Sequence, residues 1–419
     1  METTDERELA LIAGVQLPGS TDESAAESMG ELAALADTAG AEVVSSFVQR
    51  RTSYDPNTLI GRGKVDELAA SVSDSGATLV VFDSELSSGQ QDRLEKALGA
   101  RVIDRTALIL DIFAQHAHTA EGRTQVELAQ LSYMLPRLRG RGIEMSRMAG
   151  GIGTRRGPGE TQLEVDRRTL RRRIKKLQRD LADMEAVRST QRKRRARAGL
   201  SQVSLVGYTN SGKSSLLNTL TDSEVLVEDR LFSTLDSTTR KLVLPDGRSA
   251  VLSDTVGFIR KLPHELVAAF RSTLEVVRDA DLLLHVIDGS KGEETGERMA
   301  AVTAVLDELG AEEIPRIDVF NKTDLIEKTE ASDIERRYPG GVLVSAKTGA
   351  GSERLLSKIS EKLGPTRVVL LEMPSARGDL LASLYREGRV IEVVHEGETS
   401  SVTVELPVDR LDAFRQFIR

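Results

Sequence analysis

The residues whose types and spacing suit chemistry best are Gly207, Tyr208, Thr209, Asn210, Ser211, Gly212, Lys213 and Ser214, a run reading GYTNSGKS. Glycines let the backbone curl around a phosphate with its N–H groups pointing inward, and a helix starting there adds positive potential. Lys213 would reach the β- and γ-phosphates, and the Ser214 hydroxyl would bind Mg²⁺. The surroundings agree: strand-like Ser201–Val206 precedes the run and helix-like Ser215–Leu220 follows it.

A second element is Asp254, Thr255, Val256 and Gly257, at the end of the strand-like stretch that opens at Val251. Asp254 is suited to hold the Mg²⁺ shell through water, and the Gly257 N–H to meet a γ-phosphate. Base identity would come from Asn321, Lys322, Thr323 and Asp324, after the apolar stretch Ile317–Phe320. A carboxylate at Asp324 can accept both N1–H and the 2-amino hydrogens of guanine. Adenine lacks that donor pair and would leave this carboxylate, expected to be buried, unpaired, so it is rejected. Lys322 would lay its stem along the base, and the segment Ser345, Ala346, Lys347 offers a backbone N–H to guanine O6. Four elements, each at a strand end, agree on one ligand.

Between the phosphate loop and Asp254 lies FSTLDSTT, where a switch loop belongs: Phe232, Ser233, Thr234, Leu235, Asp236 and the hydroxyls beyond. Its hydroxyls suit the remaining Mg²⁺ position, but spacing alone does not choose among Thr234, Thr238 and Thr239. No rival catalytic set emerges. The five histidines are scattered, which suits surface or half-buried positions better than a metal site. Cysteine is absent, excluding disulfides and thiolate catalysis, and no serine sits in a nucleophile-elbow pattern.

These residues need a framework, and 419 residues exceed one core, so several domains are expected. Over residues 8–118, strand-like Leu9–Val15, Glu42–Val48, Thr78–Phe82 and Arg101–Ile103 alternate with helical spacing at Ser24–Asp37, Lys64–Ser73 and Ser87–Leu98. That predicts a small parallel α/β domain. Its loop Leu59–Lys64 has two readings, a tight turn or a phosphate-binding turn, and the turn is favoured. Residues 119–198 carry leucines at 128, 131, 135 and 138 and a heptad of apolar residues from Leu163 to Met184, predicting a long antiparallel helical hairpin. Residues 200–365 form the α/β nucleotide domain, and 366–419 a small α+β appendage with strands, a helix near Asp379–Arg386 and a terminal helix.

The net charge is −8, yet residues 137–198 hold 20 lysines and arginines against seven acidic residues. One concentrated basic segment in an acidic chain points to a polyanionic partner. The loop joining the two hairpin helices, 139–161, contains seven glycines and five arginines: Arg139, Arg141, Arg147, Arg155 and Arg156. It reads as a basic tip that orders on a phosphate-rich surface, the bland alternative being a surface loop. Aromatics make up only 3% and tryptophan is absent, so stacking on single strands is not the expected mode; backbone and shape recognition are. The acidic start lacks a secretory signal and no apolar stretch can span a bilayer, so a cytoplasmic protein is expected.

With these motifs in hand, the chain resembles the HflX family of translation-factor-class GTPases. GYTNSGKS, FSTLDSTT, DTVGF, NKTD and SAK match its nucleotide motifs, and TLIGRGK, EGRTQVELAQLSYMLPRL and GGIGTRRGPGETQLE its N-terminal region. The resemblance covers nearly all of residues 8–365. It implies a Mg²⁺-dependent GTPase binding GTP and GDP, a monomer that associates with the large ribosomal subunit and helps split or rescue ribosomes. It also implies Thr234 as the switch threonine, with Ser214 the other Mg²⁺ ligand, and entry of the Arg/Gly-rich loop into ribosomal RNA. A nucleotide-gated RNA-binding module, with occupancy alone setting affinity, is the other reading. Phe258 stands where related enzymes often carry a water-orienting glutamine, which implies slow intrinsic hydrolysis until a partner completes the site. Asn210 has two readings, a K⁺-binding helper or a residue that satisfies the loop backbone.

Overall fold

In the computed structural model of the chain, the structure describes residues 7–138, 162–197, 200–221, 223, 231–232, 238–261, 276–292 and 294–419. It divides into two units. The first comprises residues 1–181 with two short segments from later in the chain, 230–233 and 260–270; the second comprises 182–229, 234–259 and 271–419.

In the first unit, β1 (Glu8–Gln16), α1 (Asp22–Thr38), β2 (Ala41–Arg50), α2 (Arg62–Ser75), β3 (Leu79–Phe82), α3 (Ser88–Leu98) and β4 (Arg101–Asp104) alternate. The strands pair in parallel in the order β2-β1-β3-β4. β3, reading LVVF, is buried at every position, as a run covered on both faces must be. β2 lies at the sheet's edge and alternates partly buried with exposed residues. Helix starts are fixed locally: Thr21 Oγ1 accepts from the Ser24 N–H, and Ser87 forms a reciprocal cap with Gln90. The Leu59–Lys64 loop leads from an isolated Asp55–Leu59 bridge into α2. Its Gly61 N–H donates to Gln49 Oε1 at 2.8 Å and Ile60 is buried in the core with Leu11, Leu68 and Phe82.

Two helices complete the description of this region, α4 (Arg105–His116) and α5 (Ala120–Met134), followed by the long α6 (Gln162–Arg197). Spacing missed α4, because Leu108, Ile109, Leu110, Ile112 and Phe113 are all buried and leave no amphipathic stripe to read. On α5 the buried positions are Gly122, Gln125, Val126 and Ala129, with Leu128 and Leu131 half-buried, so the leucine seam is displaced from the expected register. The helix packs on α4, and that contact selects the buried face. On α6, Leu170 and Leu177 are buried and Arg173 makes a two-pronged pair with Glu127 of α5 at 2.6 and 2.7 Å. Arg171, Arg172, Lys175 and Lys176 are exposed. Residues 139–161, with their five arginines, lie outside the described residues.

The second unit holds β5 (Ser201–Gly207), α7 (Lys213–Thr221), β6 (Thr239–Val243), β7 (Ser249–Ser253), β8 (Leu282–Asp288), α8 (Glu294–Glu308), β9 (Arg316–Asn321), α9 (Lys328–Arg337), β10 (Val342–Leu343) and α10 (Ser352–Lys362). The sheet order is β10-β9-β8-β5-β7-β6, parallel except for β6. β8, reading LLLHVID, is buried throughout, and its His285 is 1% exposed rather than at the surface. Burial lowers the His285 pKa against an opposing contact from Asp318, 3.2 Å away. Among the described residues no His, Cys, Asp and Glu cluster could hold a metal ion, and no helix is long and apolar enough to cross a membrane.

Residues 366–419 form β11 (Thr366–Pro374), α11 (Gly378–Glu387), β12 (Arg389–Glu396), β13 (Thr399–Pro407) and the short α12 (Leu411–Phe414). The antiparallel sheet, ordered β11-β13-β12, has its own core of Leu371, Met373, Leu384, Val402, Val404, Leu406 and Phe414.

Candidate functional site

At the carboxyl edge of the second unit's sheet, the ends of β5, β7, β8 and β9 and the loop after β10 bring the predicted motifs together. β5 ends at Gly207, where a Cβ would lie 2.2 Å from the Val286 carbonyl oxygen of β8. Only glycine fits, so the chain can turn here while the strands stay paired. The loop then runs to α7, whose first residues are Lys213 and Ser214. Asn210 is exposed with φ of 58°, a left-handed conformation that asparagine adopts more readily than most residues. This gives the backbone reading of that residue its physical reason. The Tyr208 ring is buried, with the Arg298 guanidinium 5.1 Å from the ring centre.

Lys213 is 6% exposed, and its Nζ donates to the carbonyls of Gly207 at 3.2 Å and Tyr208 at 2.9 Å. Burial lowers its pKa to about 8, with Asp254 pulling the other way. The side-chain oxygens of Thr209 and Ser211 are buried and, among the described residues, have no hydrogen-bond partner. Buried polar groups are almost always satisfied, so two orphans in one loop mark a place built for a polar ligand.

The DTVGF segment is stitched to this loop by its backbone. Phe258 N–H donates to Gly207 O at 3.1 Å, and Thr209 N–H donates to Phe258 O at 2.7 Å. Gly257 is pressed close: a Cβ there would lie 2.8 Å from Thr209 Cα and 3.0 Å from Lys213 Nζ. Asp254 is fully buried and accepts from Ser214 Oγ at 2.6 Å. A hydroxyl and a carboxylate thus converge beside the loop, the hard oxygen donors that Mg²⁺ prefers. Thr255 is structural, its hydroxyl donating to Leu205 O at 2.7 Å. Val256 is buried. The Phe258 ring is 1% exposed and offers no polar atom to a water.

Of the three switch threonines, Thr239 starts β6 and its hydroxyl meets Ser253 Oγ at 3.2 Å, while Thr238 O accepts the Asp254 N–H. Thr234 lies outside the described residues, as do Ser233, Leu235 and Asp236. Phe232 is described, buried at 2% exposure, and belongs to the first unit.

The base-reading motif has a division of labour that sequence reasoning missed. Asn321 Nδ2 donates to Ser211 O at 2.9 Å, and its Oδ1 accepts the Ala346 N–H at 2.9 Å. This residue ties the phosphate loop to the segment after β10. Asp324 is exposed rather than buried as expected, and its Oδ1 accepts from Ser345 Oγ at 2.6 Å, which orients the carboxylate. Lys322, at φ of 63°, pairs with Asp288 at 2.9 Å. Burial alone would raise the Asp288 carboxyl, but Ser290 and Lys322 more than offset it and hold it low. Asp288 was not among the expected site residues. Its signal was an acid closing the otherwise buried β8, LLLHVID. Thr323 donates its N–H to Val344 O, and Lys347 is exposed.

Comparison with known proteins agrees with this geometry. Residues 26–114 match the family described as GTP-binding GTPase N-terminal, 116–195 the GTP-binding GTPase middle region, and 202–322 the 50S ribosome-binding GTPase. A GTPase HflX from Caldanaerobacter subterraneus subsp. tengcongensis is 47% identical, spanning 100% of this chain and 95% of its own length. The GTPase HflX of Escherichia coli is 44% identical over 93% of this chain and 92% of its own. Among solved structures, a GTP-binding protein from Sulfolobus solfataricus in complex with GDP is 24% identical. It aligns over 85% of this chain and 98% of its own with a TM-score of 0.43.

Proposed function

This chain belongs to the HflX family of GTPases, and from that premise we propose that it binds the large ribosomal subunit and uses GTP to drive ribosome splitting, rescue or biogenesis in the cytoplasm. The observation that carries the nucleotide half is the convergence of five strand ends on one loop that holds two unpartnered buried hydroxyls. In this reading Lys213 bears on the β- and γ-phosphates. The Gly257 N–H meets the γ-phosphate, and Asp324 accepts from guanine. Ser214 and Thr234 hold Mg²⁺, with Asp254 acting on its water shell; the ion neutralises charge that develops on the phosphates. The choice of Thr234 rests on the family resemblance; the contact of Thr239 with Ser253 argues only against Thr239.

The ribosomal half rests on the family match over 202–322 and on the basic segment 137–198. Arg139, Arg141, Arg147, Arg155 and Arg156 would contact ribosomal RNA, together with the exposed basic face of α6. Co-sedimentation with separated subunits tests this: a non-hydrolysable GTP analogue should carry the protein into the large-subunit pellet. With GTP in place of the analogue, single-turnover hydrolysis should speed up when ribosomal subunits are added, because Phe258 cannot orient water by itself. Pelleting with the small subunit alone, or a rate indifferent to ribosomes, contradicts the reading. Replacing Arg155 and Arg156 with alanine should weaken binding and flatten its salt dependence by about one phosphate contact each. An unchanged slope would leave that loop a linker.

The buried lysine gives a prediction of its own. With its pKa lowered to about 8, Lys213 is mostly neutral at pH 8.5 in the free protein. Phosphates against Nζ raise it again, so GDP binding at that pH should take up roughly three-quarters of a proton. Calorimetry in two buffers of different ionisation enthalpy measures the number. Zero uptake would show that Lys213 is not neutral in the free protein at that pH or does not meet the phosphates.

A further inference from the structure

β8 ends on Asp288 and β9 on Asn321, and the two residues are partners in the parallel ladder. Beyond these ends the two chains stay in contact. Lys322, the next residue after Asn321, has a φ of 63°. Left-handed backbone is unfavourable at a lysine and persists only where surrounding contacts impose it. Gly289, the next residue after Asp288, is pressed against β9: a Cβ there would lie 3.1 Å from the Asn321 carbonyl oxygen.

The Asp288 carboxylate, 6% exposed, divides its two oxygens between two tasks. Oδ1 accepts from Ser290 twice, from the N–H at 3.1 Å and from the hydroxyl at 2.6 Å, and so caps the turn Gly289–Lys291 of its own chain. Oδ2 reaches across to Lys322 Nζ at 2.9 Å. The turn needs only an acceptor, which an asparagine would also supply. The charge serves the lysine.

Lys322 is thereby held at both ends. At the backbone, the Leu325 N–H donates to Lys322 O at 3.0 Å, and the Thr323 N–H donates to Val344 O at 3.2 Å. At the tip, the ammonium sits on Asp288. The four-carbon stem between them is left one path, and the side chain is still 24% exposed. An apolar stem with a fixed charged tip is a surface on which a flat ring can lie.

We propose that Asp288 is a positioning residue for the base: it holds the Lys322 stem as a preformed shelf for the guanine ring and leaves the ring's edge to Asp324. The proposal rests on the nucleotide reading above. A lysine without a partner samples many rotamers, and freezing them at binding costs affinity; ordering the stem beforehand removes that cost. The shelf meets a ring face and so serves every purine of this shape alike. Discrimination among purines belongs to the edge.

The test titrates the full chain, in Mg²⁺, with GDP, with a non-hydrolysable GTP analogue and with inosine diphosphate, whose ring keeps N1–H but lacks the 2-amino group. Asp288→Asn keeps an acceptor for Ser290 and removes the charge facing Lys322. It should weaken all three ligands about tenfold, equivalent to about 1.4 kcal/mol, and leave the preference for GDP over inosine diphosphate within about twofold of the parent's. Lys322→Met keeps an apolar stem without the ammonium and should lose as much. The double variant should lose no more than either alone. If Asp288→Asn weakens GDP equally in the parent and in the Lys322→Met background, Asp288 acts through its own turn and the proposal is overturned. A reduced preference for GDP over inosine diphosphate overturns it too, since Asp288 would then act through Asp324. So does parental GDP affinity in Lys322→Met, the variant that decides if Asp288→Asn fails to fold. A parent protein that binds no GDP would instead refute the site itself.

Discussion

Asp324→Asn is expected to lower GTP affinity by about 10²- to 10⁴-fold and to create a preference for xanthosine triphosphate. The carboxylate would accept two hydrogen bonds from guanine, N1–H and the 2-amino group, each worth about 1.5–3 kcal/mol when charge-assisted. An asparagine keeps one acceptor and turns the other into a donor. Against guanine, two donors then face each other; against xanthine, whose carbon two bears an oxygen, the pairing is restored. Ser345 Oγ, 2.6 Å from Asp324 Oδ1, holds the side chain in one orientation and sharpens the contrast. Competition between guanosine and xanthosine triphosphates for the variant gives the answer. Unchanged selectivity would remove Asp324 from base recognition.

Lys213→Ala should weaken both GTP and GDP by about 10²-fold or more, since charged hydrogen bonds to phosphate oxygens are lost. The amine already bonds the carbonyls of Gly207 and Tyr208, so it also shapes the empty loop. A melting curve without nucleotide separates the two contributions. If phosphate binding dominates, the variant melts within a few degrees of the parent yet gains no stability from added GDP, whereas the parent is stabilised by its ligand. Normal GDP stabilisation of the variant would contradict the assignment.

Much of this was legible in the sequence because local rules and global fold agree. Each phosphate and base motif sits at the end of an apolar run, and such runs become strands of a covered parallel sheet whose ends share an edge. The four strands of the first unit and α1 to α3 were legible for the same reason: alternation of short apolar runs with helical spacing. What escaped was set by packing. α4 is apolar on every side and shows no period. On α5, contact with α4 moved the buried face from the leucines to Val126 and Ala129. The pairing of Asp288 with Lys322 and the bridging by Asn321 join residues 25 or more positions apart, a distance no spacing rule reaches.

The most direct test displaces a fluorescent GDP analogue from the purified chain with GTP and with ATP in the presence of Mg²⁺. The account predicts full displacement by GTP at a single site, with ATP at least about 10³-fold less effective because it leaves the Asp324 carboxylate unpaired. Displacement by ATP as readily as by GTP would contradict it.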